Sequence, residues 1–199
     1  MDRALYRWIN GLADHTTWAH GAFKLYANAG IVVFAALLIA AYLYVRRHNA
    51  HLGVAGAIWA GGAALAALGA GQLIGRAVDR LRPYETMTDV HVLIARTADF
   101  SFPSDHATVA GAVAAGLLMT NRRWGTVAAV AAAAMAFTRI YVGAHYAADV
   151  LAGLVLGAAV AVAGRFVIVP VIRQLVTRLE RTRLRPIVTA TPGGGDSST

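Results

Sequence analysis

The run Thr138-Arg139-Ile140-Tyr141-Val142-Gly143-Ala144-His145-Tyr146-Ala147-Ala148-Asp149 places an arginine, a histidine and an aspartate between two long apolar stretches. Charged groups at a membrane boundary are costly unless they are paired or put to use. A helix beginning near Gly143 puts His145 and Asp149 one turn apart on a shared face. The carboxylate then accepts a hydrogen bond from one ring nitrogen and leaves the other as a nucleophilic lone pair. Arg139, beyond a tight turn at Gly143, offers a planar fork to an anionic oxygen. The chemistry predicted is attack on a phosphorylated group. Each residue also has a plainer use: an interfacial histidine, a capping aspartate, an arginine that snorkels to headgroups. Two further polar clusters on the same side favour the functional reading.

One is Arg76-Ala77-Val78-Asp79-Arg80-Leu81-Arg82-Pro83. Pro83 forces Arg82 out of helical geometry, so its side chain can turn over the mouth of a site as a phosphate clamp. Arg76 and Arg80 are further phosphate candidates, with Arg80 also read as a partner of Asp79 or of headgroups. The other cluster is Phe102-Pro103-Ser104-Asp105-His106-Ala107. Proline followed by Ser-Asp signals a helix start, whose free N–H groups favour a phosphate. Ser104 is a phosphate ligand or a plain N-cap, Asp105 a cap or polar support, and His106 a proton carrier on the first turn.

The elements that must hold these clusters are membrane helices. The chain has 199 residues, 58% hydrophobic and 14% charged, with net charge +8 and no cysteine. That composition predicts an all-α integral membrane protein of five to six transmembrane helices. Disulfides and thiolate metal sites are excluded. All but one of the 18 basic residues are arginine, and they fall in loops and tail. Their plain roles are topology and contact with membrane lipids; no basic surface is left over for nucleic acid.

In chain order, residues 1–20 read as an interfacial amphipathic helix anchored by Trp8 and Trp18. Spans follow at about Phe23–Val45, Leu52–Gly75, Ser104–Thr120, Trp124–Val142 and His145–Arg165. Glycines of the second span, including Gly71 and Gly75, predict close helix packing without chemistry. The bundle occupies 21–185, and the Pro/Gly/Ser-rich 186–199 reads as disordered. Threading the spans puts Arg46-Arg47, Arg122-Arg123 and the tail arginines on the cytoplasmic side. The Arg76–Pro103 loop and the Gly143 turn then face outward.

These clusters resemble the three signatures of the type 2 phosphatidic acid phosphatases: Lys-x6-Arg-Pro, Pro-Ser-Gly-His and Ser-Arg-x5-His-x3-Asp. The third is matched by Arg139, His145 and Asp149, with Thr138 keeping the hydroxyl of the leading serine as support. The second is matched by Pro103-Ser104-Asp105-His106, with Asp105 in place of glycine. The first is matched at Arg82-Pro83 alone: its lysine position is Gly75, with Arg76 one residue late. The form Ser-Phe-Pro-Ser-Asp-His-Ala is similar to the bacterial undecaprenyl-diphosphate phosphatase branch associated with bacitracin resistance.

The resemblance implies that His145 attacks the terminal phosphorus and becomes a phosphohistidine, oriented by Asp149. His106 protonates the leaving oxygen and then helps to activate water. Arg82, Arg139 and Ser104 hold the phosphoryl oxygens, with no metal and no cofactor. The implied reaction is hydrolysis of undecaprenyl diphosphate to undecaprenyl phosphate and phosphate, on the outer face of a bacterial plasma membrane. Alternatives are a phosphatidic acid or phosphatidylglycerol-phosphate phosphatase, or a lipid-phosphate carrier that binds without hydrolysis.

Overall fold

A computed structural model describes residues 2–48 and 51–190. The described residues form helices α1 (Asp2–His15), α2 (His20–Arg47), α3 (His51–Val78), the single turn α4 (Pro83–Thr86), α5 (Asp105–Leu118), α6 (Arg122–Tyr141), α7 (Ala147–Leu179) and the turn α8 (Arg185–Val188). Helices α2, α3, α6 and α7 are long and apolar enough to cross a membrane. With the shorter apolar α5 they make an all-α, multi-pass membrane bundle.

Helix α5 is about 21 Å long at ~1.5 Å per residue, short of a ~30 Å hydrocarbon layer. It is nonetheless the hub, packing against α2, α3, α6 and α7. Its Ala107, Ala110, Ala112, Val113 and Leu117 are fully buried. Glycines let its neighbours approach. A methyl group on Gly153 of α7 would lie 2.6 Å from the Ser104 carbonyl, and one on Gly111 of α5 would strike the backbone of Leu154. Close packing thus falls on α5 and α7 rather than on the second-span glycines singled out in the sequence. Gly71 and Gly75 face the site loop instead, against Pro103 and the Phe100–Phe102 segment.

One end of the bundle gathers α1, the 79–104 loop and the α6–α7 turn, joined by Leu93 N–H donating to the Val142 carbonyl at 3.0 Å. Arg165 lines a cleft at the other end with His48, Thr120 and Asn121. Helix α7 runs past Arg165, the expected end of the fifth span, through Pro170 to Leu179. The segment expected to be disordered from 186 begins folded: Val188 and Thr189 are buried, and Ala190 N–H reaches the Arg46 carbonyl. Residues 191–199 lie outside the described residues.

Helix α1 carries a polar and a buried face, as an interfacial helix should. Its buried face is not turned to lipid. Tyr6 is fully buried, and Asn10 donates to the carbonyls of His91 (2.8 Å) and Tyr141 (2.9 Å) and accepts from His91 N–H.

Candidate active site

Helix α6 ends at Tyr141, and the chain turns at Gly143 with φ +82°, a left-handed conformation that glycine adopts without strain. A β-carbon there would also strike the His91 carbonyl. The N–H groups of Ala144 and His145 both return to the Arg139 carbonyl. Helix α7 begins only at Ala147. The expected helix start near Gly143 is therefore displaced, and His145 stands in the turn ahead of the helix.

That displacement separates His145 from Asp149. The Nδ1 of His145 lies 2.7 Å from the Ser101 carbonyl. A carbonyl only accepts, so Nδ1 carries the proton and Nε2 the lone pair. Asp149 does not touch the ring, contrary to the sequence expectation. Its Oδ2 accepts from Ser101 Oγ (2.6 Å) and Tyr146 N–H (3.0 Å), and its Oδ1 from Arg80 (2.7 Å). Asp149 thus reaches the imidazole through Ser101, a residue the sequence reading left without a role.

Two guanidinium groups converge on Nε2: Arg82 Nη1 and Arg139 Nη2 each lie 3.3 Å from it. Burial first, then the fields of Arg139 and Arg82, push the His145 pKa well below its ordinary value, so the ring is neutral. Arg82 is the extended N-cap of α4, as Pro83 demands, and is buried. It also donates to the Ala144 carbonyl (3.1 Å) and grips Asp99 through Nε (3.1 Å) and Nη2 (2.9 Å). Partial burial would raise the Asp99 pKa, but the Thr97 hydroxyl and the Arg82 charge hold it below the usual carboxylate value. Arg139 donates to the Ala27 carbonyl at 3.2 Å.

Two buried polar atoms here, Arg139 Nε and Ser104 Oγ, have no partner among the described residues. Unsatisfied buried donors are costly and mark a place where a ligand is received. Ser104 is the N-cap of α5 without making a side-chain cap bond. Asp105 accepts both bonds from Gln72 Nε2 (3.0 and 2.9 Å). Gln72 was legible as a lone amide on an otherwise apolar helix face. His106, Asp105, Arg82, Arg139 and His145 line one cleft of about 380 Å³. Its apolar wall includes Ala27 and Ile31 of α2, Leu68 of α3 and Val109 of α5.

Three expected site residues stand elsewhere. Thr138 Oγ1 bonds back to the Ala134 carbonyl of its own helix (2.7 Å). Arg80 is engaged by Asp149 and Asp2, both at ion-pair distance, so it is not a phosphate clamp. Burial opposes its charge, yet its bond to Asp2 and the Asp149 charge hold its pKa above the ordinary value. Arg76 is exposed and does not line the cleft, and the Gly75 position of the motif lysine is closed by Phe100 and the Phe102 carbonyl. The lysine of the first signature is not replaced from either side.

Comparison with known proteins extends the likeness beyond the motifs. The chain is 33% identical over 160 residues to the undecaprenyl-diphosphatase BcrC of Bacillus subtilis (strain 168), covering 78% of each protein. The fold matches LpxE of Aquifex aeolicus with a TM-score of 0.61 at 23% identity, covering 81% of this chain and 93% of that one. It also matches a transmembrane PAP2 type phosphatidylglycerolphosphate phosphatase of Bacillus subtilis, with a TM-score of 0.53 at 18% identity over 91% and 89% of the two chains. The PAP2 superfamily model itself spans residues 59–172, from α3 through the cleft into α7, and the chain belongs to that superfamily.

Proposed function

We propose that the protein hydrolyses undecaprenyl diphosphate to undecaprenyl phosphate and phosphate through a phosphohistidine, on the extracytoplasmic face of a bacterial plasma membrane. The observation that carries this reading is the convergence of Arg82 and Arg139 on the Nε2 lone pair of a neutral, buried histidine. Phosphoryl transfer asks mainly for positioning and charge stabilisation, and two fixed guanidinium groups supply both. The name of the Bacillus subtilis relative supports the choice of lipid diphosphate.

In the first step Nε2 of His145 bonds to the terminal phosphorus as the bond to the bridging oxygen breaks. The oxygen leaves on the lipid monophosphate, with His106 at the start of α5 as proton donor. Nδ1–H stays on the Ser101 carbonyl, which stabilises the ring as it gains positive charge. In the second step His106 takes a proton from water, the water oxygen bonds to phosphorus, and the P–N bond breaks. Arg82, Arg139 and the Ser104 hydroxyl hold the phosphoryl oxygens throughout. The α2, α3 and α5 side chains of the cleft offer the lipid chain an apolar exit. Arg46, Arg47, Arg122 and Arg123 lie at the bundle end opposite the cleft, which supports an outward-facing site.

The test is phosphate release by purified protein in EDTA from undecaprenyl diphosphate, phosphatidic acid and phosphatidylglycerol phosphate. Highest kcat/KM is expected on the first. His145→Ala should remain folded and release nothing, since it removes the lone pair on which both guanidinium groups converge. Turnover by that variant would overturn the covalent route. Binding without turnover by the unaltered protein would leave a carrier.

A further inference from the structure

The first turn of α1 lies against the back of the catalytic turn. Asp2 Oδ2 pairs with Arg80 Nη2 at 2.6 Å, and its Oδ1 accepts the N–H of Ala148, in the first turn of α7, at 3.0 Å. Arg80 continues the chain, donating through Nη1 to Asp149 Oδ1 at 2.7 Å, with its guanidinium carbon 4.2 Å from the Tyr146 ring centroid. Asp149 holds the Ser101 hydroxyl, and the Ser101 carbonyl holds His145 Nδ1–H. Asp2 therefore bridges the two segments that flank the histidine: the 79–104 loop through Arg80, and the start of α7 through Ala148.

Anchoring α1 does not depend on this carboxylate. Tyr6 and Asn10 already seat the helix, with Asn10 bonded to His91 and Tyr141. What Asp2 adds is a second anion for Arg80. An arginine fork engaged on both sides is fixed in orientation, whereas one engaged on a single side can swing.

We infer that Asp2 is a positioning residue for the phosphoryl-transfer reaction, acting with Arg80 to fix the Asp149–Ser101 pair whose main-chain carbonyl aims His145. This rests on reading His145 as the nucleophile. Helix α1 is then part of the catalytic scaffold as well as an interfacial anchor. Arg80 and Ala148, the polar partners of Asp2, do not line the cleft, so its loss acts on the transition state and leaves substrate binding alone.

The experiment is steady-state phosphate release from undecaprenyl diphosphate by the full chain. Asp2→Asn keeps the shape and the bond to Ala148 but removes the charge. A fall in kcat of about tenfold is expected, with KM within about twofold. Arg80→Gln should lower kcat similarly, and the double variant should be no slower than Arg80→Gln alone, because contacting members of one network are not additive. Asp14→Asn, on the same helix and paired with His91, is expected to leave kcat unchanged.

Additive losses, a change confined to KM, or an equal loss in Asp14→Asn would overturn the inference. Should Asp2→Asn fail to fold, Arg80→Lys takes its place. One ammonium cannot span both carboxylates, so the same kcat loss is expected and an unchanged kcat overturns the inference. Failure of the nucleophile reading shows separately, as turnover by His145→Ala.

Discussion

Arg82 divides its donors among the Asp99 carboxylate, the Ala144 carbonyl and the edge of His145, and only a planar fork can meet all three. Arg82→Lys keeps the charge and loses that geometry. Its kcat/KM should fall about a hundredfold, the scale of removing one fixed donor from a transition state. Arg76→Ala, exposed and away from the cleft, should stay within about twofold, and both are read by phosphate release. His106 can be tested by choice of leaving group. A lipid monophosphate leaves as a stable anion, whereas a lipid alkoxide depends on a proton donor. His106→Ala should slow the first step severely with phosphatidic acid and mildly with undecaprenyl diphosphate. With the diphosphate, an acid-labile phosphoenzyme should accumulate in a burst. Equal losses with no trapped intermediate would assign His106 to shaping the pocket. At this scale Arg82, His106, Arg139 and His145, which meet at one cleft, were legible in the sequence, because residue type marks them as candidates for one chemistry. Ser101 was not, because it acts on the ring through a main-chain carbonyl that any residue would provide.

The α6–α7 turn shows what helical spacing alone misses. A separation of four positions from His145 to Asp149 suggests a shared helix face, but the left-handed backbone at Gly143 and the double return to the Arg139 carbonyl delay the helix to Ala147. Periodicity locates the apolar run, and the turn that precedes it is set by contacts from the 79–104 loop. Gly143→Ala in this turn must both hold a strained φ and push the His91 carbonyl away. A loss of about 1–3 kcal/mol in stability is expected, seen as a lower melting temperature in detergent. Phosphate release should fall further than that loss explains, since His145 sits two residues on. An unchanged melting temperature would mean that the turn relaxes freely. The spans α2, α3 and α6 were read to within a few residues because their apolar runs are uninterrupted. Helix α7 was cut short at Arg165, where one charge interrupts an apolar surface that resumes at Phe166, Val167 and Val171.

Across the whole molecule, the cleft and the arginine-rich turns occupy opposite ends. In the cysteine-free chain, Thr88→Cys in the site loop should react with an impermeant thiol reagent in intact cells. Thr182→Cys, exposed on the α7–α8 turn, should react only after permeabilisation. Reversed labelling would move the reaction to the cytoplasmic face. Charge distribution made the separation of the cleft from the arginine-rich turns legible from the sequence. The contact of Asp2 with Arg80 and Ala148 was not, because pairing across 78 and 146 positions follows from tertiary packing and leaves no periodic trace.

Asp99 gives the cationic centre a counter-ion of its own. Its half-exposed carboxylate closes the Arg82 fork at the mouth of the cleft. At Arg82 an arriving phosphate would therefore exchange one anion for another, whereas Arg139, bonded to the Ala27 carbonyl, meets it without a carboxylate to displace. On the reading of a lipid diphosphate substrate, the apolar wall then adds the hold of the lipid chain. Inorganic phosphate has no such chain, so on that reading the returning carboxylate competes with it at Arg82 on better terms than with the substrate. The resting ion pair would in this sense be an ejector, helping to clear product from a site that also holds its substrate by the part it does not cleave.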